Sequence, residues 1–336
     1  MRVSHEPVVI AHRGASGHRP EHGADAYRLA IDLGAGAIEP DIVSTSDGIL
    51  VLRHENEISS TTDIEDHAEF ADRRTTKSVD GEMVAGWFTE DFTWAELSTL
   101  SIRERLPELR PASALHDGEG RIQRLTDLLS LLDSEAVAGH PVALVAEIKH
   151  ATYFESIGLP LDELFAAELQ AAGWIDDPRL TIESFEQSVL MKLKAAGVGG
   201  RSVYLLEDEG APFDLVARDG TAATTYAEQL TDEGLARLAA EVEGVSVPKR
   251  LLITKYGRPD ASLVRRAHAH GLEVFTWTLR PENKFVVKAL RTGPDKAAFG
   301  DWRAEFERVI GTGVDGIFTD YPDLAVEILH RAHANA

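Results

Sequence analysis

The chain has no cysteine in its 336 residues. That excludes disulfides, thiolate zinc sites, iron–sulfur clusters and a cysteine nucleophile. No apolar run approaches the ~18 residues that a membrane-spanning helix needs. The opening, MRVSHEPVVIAHRG, lacks a basic region followed by an apolar stretch of about 7–15 residues. No secretory signal is therefore visible, and the cytoplasm is the default compartment, with the periplasm or exterior open to a processed form. Positive charge is scarce: 34 Lys and Arg stand against 56 Asp and Glu, a net charge of −22. Such a balance disfavours nonspecific binding to nucleic acid or to an anionic membrane. A phosphate-bearing substrate would then need a local positive centre, either a metal ion or a particular Arg or Lys. A GxGxxG turn after the first strand is also missing. Gly34-Ala35-Gly36 is only a fragment at a helix end, which argues against a dinucleotide-binding doubly wound sheet.

Hydrophobic residues make up 43% and charged residues 27%, the balance of a water-soluble globular chain long enough to bury its core without staples. Short β-rich runs alternate with helix-like stretches. The strand candidates are 8–13, 37–43, 49–55, 142–149, 180–185, 202–207, 245–252, 273–279 and 316–320. Their apolar runs suit strands buried on both faces. Several of the intervening helices stop at glycine, as at Gly34, Gly173, Gly197 and Gly271. Alternation with roughly eight barrel strands predicts an α/β fold, a TIM (β/α)8 barrel, spanning 1–336 as one domain. Residues 56–123 break the repeat. They are polar but carry Phe70, Trp87, Phe88, Phe92 and Trp94, too many aromatics for a disordered linker, and read as a folded insertion. Residues 281–310 form a second, smaller elaboration.

Four strand ends carry the chemistry. The first ends in His12-Arg13-Gly14, the second holds Glu39-Pro40-Asp41, the third ends in His54-Glu55, and the fourth closes on Glu147-Ile148-Lys149. Residues i and i+2 of a strand share a side, so Glu39 and Asp41 point together, as do Glu147 and Lys149. Paired carboxylates repel unless a cation sits between them, and an all-oxygen set favours Ca²⁺ or Mg²⁺ over zinc. Taken singly, each signal is as well explained by a structural histidine or a solvated strand end. Together, in a parallel barrel, the four ends converge on one mouth. A metal with Arg13 would neutralise phosphoryl oxygens, Lys149 would add positive charge, and two histidines would serve the attacking and leaving oxygens. Phe185 and Trp277, at or near strand ends, suit either an apolar wall of the site or rim packing. Trp87 and Trp94 suit the insertion's own core better than the site. Asp320 suits either the site or a turn before Pro322.

These motifs, in this order, resemble the glycerophosphodiester phosphodiesterase family. They are His12-Arg13-Gly14-Ala15, Arg19-Pro20-Glu21, Gly34-Ala35, Glu39-x-Asp41, Ser46-Asp47-Gly48, Val51-Leu52-Arg53-His54, Glu147-x-Lys149, Ser184-Phe185, 274–278 and Val314-Asp315-Gly316-Ile317-Phe318-Thr319-Asp320-Tyr321-Pro322. The insertion is similar to that of the longer, periplasmic-type branch. The resemblance implies a barrel enzyme that hydrolyses glycerophosphodiesters to sn-glycerol 3-phosphate and an alcohol. It implies His12 and His54 as the acid–base pair, Glu39, Asp41 and Glu147 as ligands of one Ca²⁺ or Mg²⁺, and Arg13 and Lys149 on the phosphate. It further implies attack by the glycerol 2-hydroxyl to give a cyclic phosphate that water opens. Two stretches depart from the family pattern: Pro20-Glu21-His22-Gly23 replaces Pro-Glu-Asn-Thr, and His54-Glu55 replaces His-Asp. A related barrel phosphodiesterase acting on lysophospholipids or sugar phosphodiesters, and a non-catalytic phosphodiester-binding protein, are the alternatives.

Overall fold

The computed structural model describes residues 6–334. Its strands are β1 (Val8–His12), β2 (Ala37–Glu39), β3 (Asp41–Ser44), β4 (Leu50–Leu52), β5 (Thr75–Val79), β6 (Glu82–Gly86), β7 (Ala143–Ile148), β8 (Leu180–Ser184), β9 (Arg201–Leu205), β10 (Gly244–Pro248), β11 (Glu273–Leu279) and β12 (Gly316–Thr319). Parallel pairing runs from β1 through β2 to β7 and on to β12, which pairs back with β1. This closes an eight-stranded barrel in which β2 and β3 together make the second strand. Proline explains that division, because Pro40 has no N–H to give to a ladder. The prolyl residue at 248 likewise marks the end of β10, and residues Lys249–Leu251 turn into a short 3₁₀ helix where the sequence suggested more strand. Helices such as Ala24–Asp32, Leu161–Ala172 and Gln187–Ala195 cover the outside. None of the described helices is long and apolar enough to cross a membrane.

The alternation of strand side chains sets the height of the site. Inside the barrel, Ile10, Ala37, Val145, Val203, Phe275 and Phe318 form a small apolar cluster, apart from the larger core between sheet and helices. Two residues further along five of those strands stand His12, Glu39, Glu147, Trp277 and Asp320. A period of two keeps them on the inner face, one layer higher. The lower layer is therefore a plug that keeps water from below, and the upper layer is the mouth.

The third strand expected from the sequence, 49–55, is not a barrel strand. Its ordered part, β4, pairs antiparallel with β3, with Ile42 opposite Leu52 and Ser44 opposite Leu50. The chain rises past the mouth on β3, reverses at Asp47-Gly48, and descends. The Arg53 amide then donates to the Asp41 carbonyl at 3.0 Å. His54 thus reaches the mouth from above, by a hairpin, and not as a parallel strand end.

Residues 56–123 hold the antiparallel pair β5–β6, whose turn residues Asp80 and Gly81 both have positive φ, as a tight hairpin requires. Phe70, Trp87, Phe88 and Phe92 are buried there, and the Trp87 indole donates to the Phe70 carbonyl at 2.7 Å.

Gly316 marks a close approach in the plug. A Cβ at this position would lie 2.4 Å from Cδ1 of Phe275. Gly316→Ala is expected to destabilise the fold by about 1–3 kcal/mol, read from urea denaturation midpoints at unchanged slope, because an extra methyl must displace a packed ring. Unchanged midpoints would show that the plug yields freely.

Candidate active site

A cavity of about 370 Å³ opens at the barrel mouth. His12, Arg13, His54, Glu147, Lys149, Phe185 and Trp277 all border it, and Glu39 and Asp41 lie beneath it, fully buried. A larger groove of about 520 Å³ on the barrel flank, between Gln187–Ala195 and Asp232–Leu238, holds none of these groups.

Strand register assembles the acidic residues. His12 sits opposite Glu39, Asp41 opposite Glu147, and Glu147 opposite Glu183. One carboxylate oxygen from each of Glu39, Asp41 and Glu147 lies within 4.8 Å of the others. Burial, then the neighbouring Asp41, pushes the Glu39 carboxyl well above its ordinary range. Burial raises Glu147 to about 7 despite Lys149. Burial and Glu147 also raise Glu183. Asp41 alone is held low: burial opposes its ionisation, but His54, Arg13 and Lys149 outweigh it.

The protein's own cations meet this charge only in part. Arg13 approaches Asp41 at 3.2 Å but also pairs with Glu21 at 3.0 Å, and Lys149 pairs with Glu147 at 2.8 Å and Asp41 at 3.8 Å. The buried atoms Glu39 Oε1, Asp41 Oδ1 and Glu183 Oε2 have no hydrogen-bond partner. Three convergent carboxylates, two of which carry an unpartnered oxygen, fit a hard divalent cation bound by Glu39, Asp41 and Glu147. Arg13 itself is held in a left-handed conformation, φ 63°, where its amide donates to Glu39 Oε2 at 2.8 Å. Strain of that kind persists where surrounding contacts over-determine it.

His12 has a carboxylate hydrogen-bonded behind it, and His54 has one close beside it. His12 Nδ1 donates to Asp320 Oδ1 at 2.6 Å, which leaves Nε2 free. Burial and Arg13 lower His12 to about 4, against the pull of Asp320. Asp320 in turn carries the guanidinium groups of Arg110 and Arg280 on its second oxygen. His54 Nδ1 lies 2.6 Å from Glu55 Oε1, and burial, Arg13 and Lys149 lower His54 to about 3. Phe185 and Trp277 meet edge to face at 5.8 Å at the cavity border, and Lys149 Nζ lies 5.8 Å from the Phe185 ring.

The chain has relatives among known proteins. A family model, the glycerophosphoryl diester phosphodiesterase family, matches residues 12–324. The chain belongs to that family. A glycerophosphodiester phosphodiesterase of Arabidopsis thaliana is 31% identical over 94% of this chain and 84% of its own length. The glycerophosphodiester phosphodiesterase of Haemophilus influenzae is 23% identical over 98% of this chain and 91% of its own. Among solved structures, an Oleispira antarctica phosphodiesterase in complex with the product sn-glycerol 3-phosphate superposes with a TM-score of 0.61 at 21% identity, covering 96% of this chain and 97% of that one. The chain is thus a phosphoric diester hydrolase acting on glycerophosphodiesters.

Several groups at this phosphodiesterase site escaped the sequence. Glu183 was readable as a carboxylate inside the apolar run 180–185, and Arg280 as a cation just past β11. Arg105 and Arg110 lie far from any strand end, in 56–123, and gave no local signal. Arg105 borders the cavity and pairs with Glu21 at 3.1 Å. His22, in the stretch that departs from the family pattern, is fully buried and orients Asp41. Its Nε2–H donates to Asp41 Oδ2 at 3.0 Å, and its Nδ1 accepts the Tyr27 hydroxyl at 2.8 Å. The tryptophans at 87 and 94 do not border the mouth cavity.

His150 joins the hairpin β5–β6 to the mouth. Its Nδ1–H donates to Asp80 at 2.6 Å and its Nε2–H to Glu55 at 3.3 Å. Burial opposes its charge, but those two bonds raise it from 6.5 to about 9. A raised folded value means that the clasp stabilises fully below about pH 6.5 and is lost as pH climbs through 9. Asp80→Asn is therefore expected to lower the melting temperature at pH 6 and to converge with the parent above pH 9. Equal shifts at both pH values would show that His150 carries no charge.

Proposed function

We propose that the chain hydrolyses its diester with His12 and His54 as paired proton carriers, Arg13 and Lys149 on the phosphate, and one Ca²⁺ or Mg²⁺ held by Glu39, Asp41 and Glu147. The observation that carries this reading is the pair of imidazoles backed by Asp320 and Glu55, facing one cavity above three convergent carboxylates. When bound, the cation supplies a fixed positive charge for the phosphoryl oxygens.

Both imidazoles are neutral by themselves, because burial and the nearby Arg13, joined at His54 by Lys149, oppose a further positive charge. A phosphodiester anion between Arg13 and Lys149 cancels that opposition, so one ring is able to hold a proton. We assign His12 as the base. Asp320 fixes its tautomer with Nε2 unprotonated and stabilises the imidazolium that forms. The glycerol 2-hydroxyl gives its proton to His12 Nε2 and its oxygen bonds to phosphorus. The bond from phosphorus to the leaving alcohol's oxygen breaks, and that oxygen takes a proton from His54. The product is a cyclic phosphate and a free alcohol. In the second half the roles reverse. Water bonds to phosphorus and gives a proton to His54, while the 2-oxygen leaves with the proton from His12, yielding sn-glycerol 3-phosphate. Phe185 and Trp277 flank the carbon skeleton and limit water at the reacting atoms.

His12→Ala and His54→Ala are each expected to slow glycerol 3-phosphate release by about a hundredfold to ten-thousandfold, in an enzyme-coupled assay on glycerophosphoglycerol. Near-native rates in either variant would remove that residue from the acid–base pair. Chelation with EDTA is expected to abolish turnover, and titration with Ca²⁺ or Mg²⁺ to restore it. Glu147→Gln should raise the half-saturating cation concentration about tenfold or more. Full activity in EDTA would end the metal assignment.

A further inference from the structure

A second cavity, of about 710 Å³, adjoins the first one. The two share Glu147, Lys149, Phe185 and Glu207. A phosphodiester has two ester arms, so a phosphate held at that junction would send one arm into each chamber. The first chamber contains the two histidines. The second differs in chemistry: its walls carry Asp80 and Glu82 from the β5–β6 hairpin, Glu186 after β8, and Glu207 after β9, with the rings of Phe185, Phe213 and Tyr226. The hairpin tip closes against the far side, since a Cβ on Gly81 would lie 3.6 Å from the Phe213 ring.

The acid in this chamber is only partly neutralised from within, and burial raises the Glu186 carboxyl to about 7. Glu186 is only 3% exposed. One of its oxygens, Oε2, accepts the Thr152 amide at 2.9 Å and the Thr152 hydroxyl, whereas Oε1 has no partner. Asp80 Oδ1 is likewise buried and unpartnered. The cations that border the chamber are already engaged, Lys149 with Glu147 and Asp41, His150 with Asp80 and Glu55. At the outer rim Glu207 pairs with Arg250, which Asp208 shares. Burial, and after it Glu207, Asp214, Glu186 and Asp80, push the Tyr226 phenol upward.

We propose that this second chamber is the subsite for the leaving alcohol, and that it selects alcohols carrying an ammonium group. A buried carboxylate oxygen without a donor suits a cation, and aromatic faces suit an alkylated one. The inference rests on the phosphodiesterase reading above and narrows its substrate.

The test compares kcat/KM for glycerophosphocholine and glycerophosphoethanolamine with that for glycerophosphoglycerol, which has no positive charge. The parent enzyme is expected to favour the ammonium diesters by about tenfold or more, mainly through KM. Glu186→Gln keeps an acceptor for Thr152, and Glu207→Gln alters a rim residue. Each should pull the ratio toward one, the double variant furthest. Each variant's own rate on glycerophosphoglycerol serves as its reference, which removes any loss of folded protein from the ratio. A primary ammonium donates hydrogen bonds and should respond more to Glu186→Gln. A quaternary one cannot, and should respond more to Phe213→Leu. Turnover of all three diesters at similar kcat/KM, or a preference untouched by both acid variants, would overturn this subsite while leaving the hydrolase intact. No turnover of any diester would overturn both.

Discussion

Asp41, Glu147 and Glu183 share one level of the barrel because parallel register sets neighbouring strands level with one another, and Glu39 stands two residues before Asp41. Two ionised carboxylates at 4.8 Å repel by roughly 3 kcal/mol at an effective dielectric near 20. Several such pairs would open a structure of ordinary stability. Much of what surrounds the mouth answers that repulsion. Arg13 accepts a left-handed backbone in order to bring its amide and guanidinium to Glu39 and Asp41. Lys149 lies across Glu147 and Asp41. His22 gives Asp41 a hydrogen bond from a fully buried ring. The remaining charge is what a divalent cation would match.

A second layer of ion pairs ties the segments outside the barrel to the same point. Arg110, from residues 56–123, joins Asp320 at the end of β12, Glu282 in the elaboration after β11, and the Ser16 carbonyl in the loop after β1. All of these charged groups are buried. A buried ion pair adds little net stability, yet breaking one leaves a charge stranded, so such pairs act more as registers than as glue. Here the register holds Asp320, and through it the His12 ring. His150 does comparable work on the other side, between Asp80 and the Glu55 that flanks His54. Segments that look like decoration on the barrel therefore hold both imidazoles in place.

The route by which His54 arrives shows how far local pattern reaches. Residues 49–55 read as a buried strand and are one in part, but strand character carries no direction. Only the pairing of β4 with β3 makes it antiparallel. The reading that four parallel ends converge was right about the meeting point and mistaken about the path of one member. The same blindness applies to Arg105 and Arg110, whose neighbours in sequence are other polar residues and whose partners lie on distant strands.

By itself the sequence determined the alternation of strands and helices, and with it the height of each inward residue, because a period of two is a property of the extended chain. It also determined which groups are available: paired carboxylates spaced i, i+2, a His-Arg ahead of a Gly turn, and no thiol. The tertiary structure decided what those groups meet. Whether Asp320 is a turn residue or the partner of His12, whether Glu183 is solvated or stranded, and whether Glu186 lies on the open surface or in a cavity wall all depend on contacts between segments far apart in the chain. Desolvation and charge pairing act through space, and a linear pattern does not encode the distances that set them.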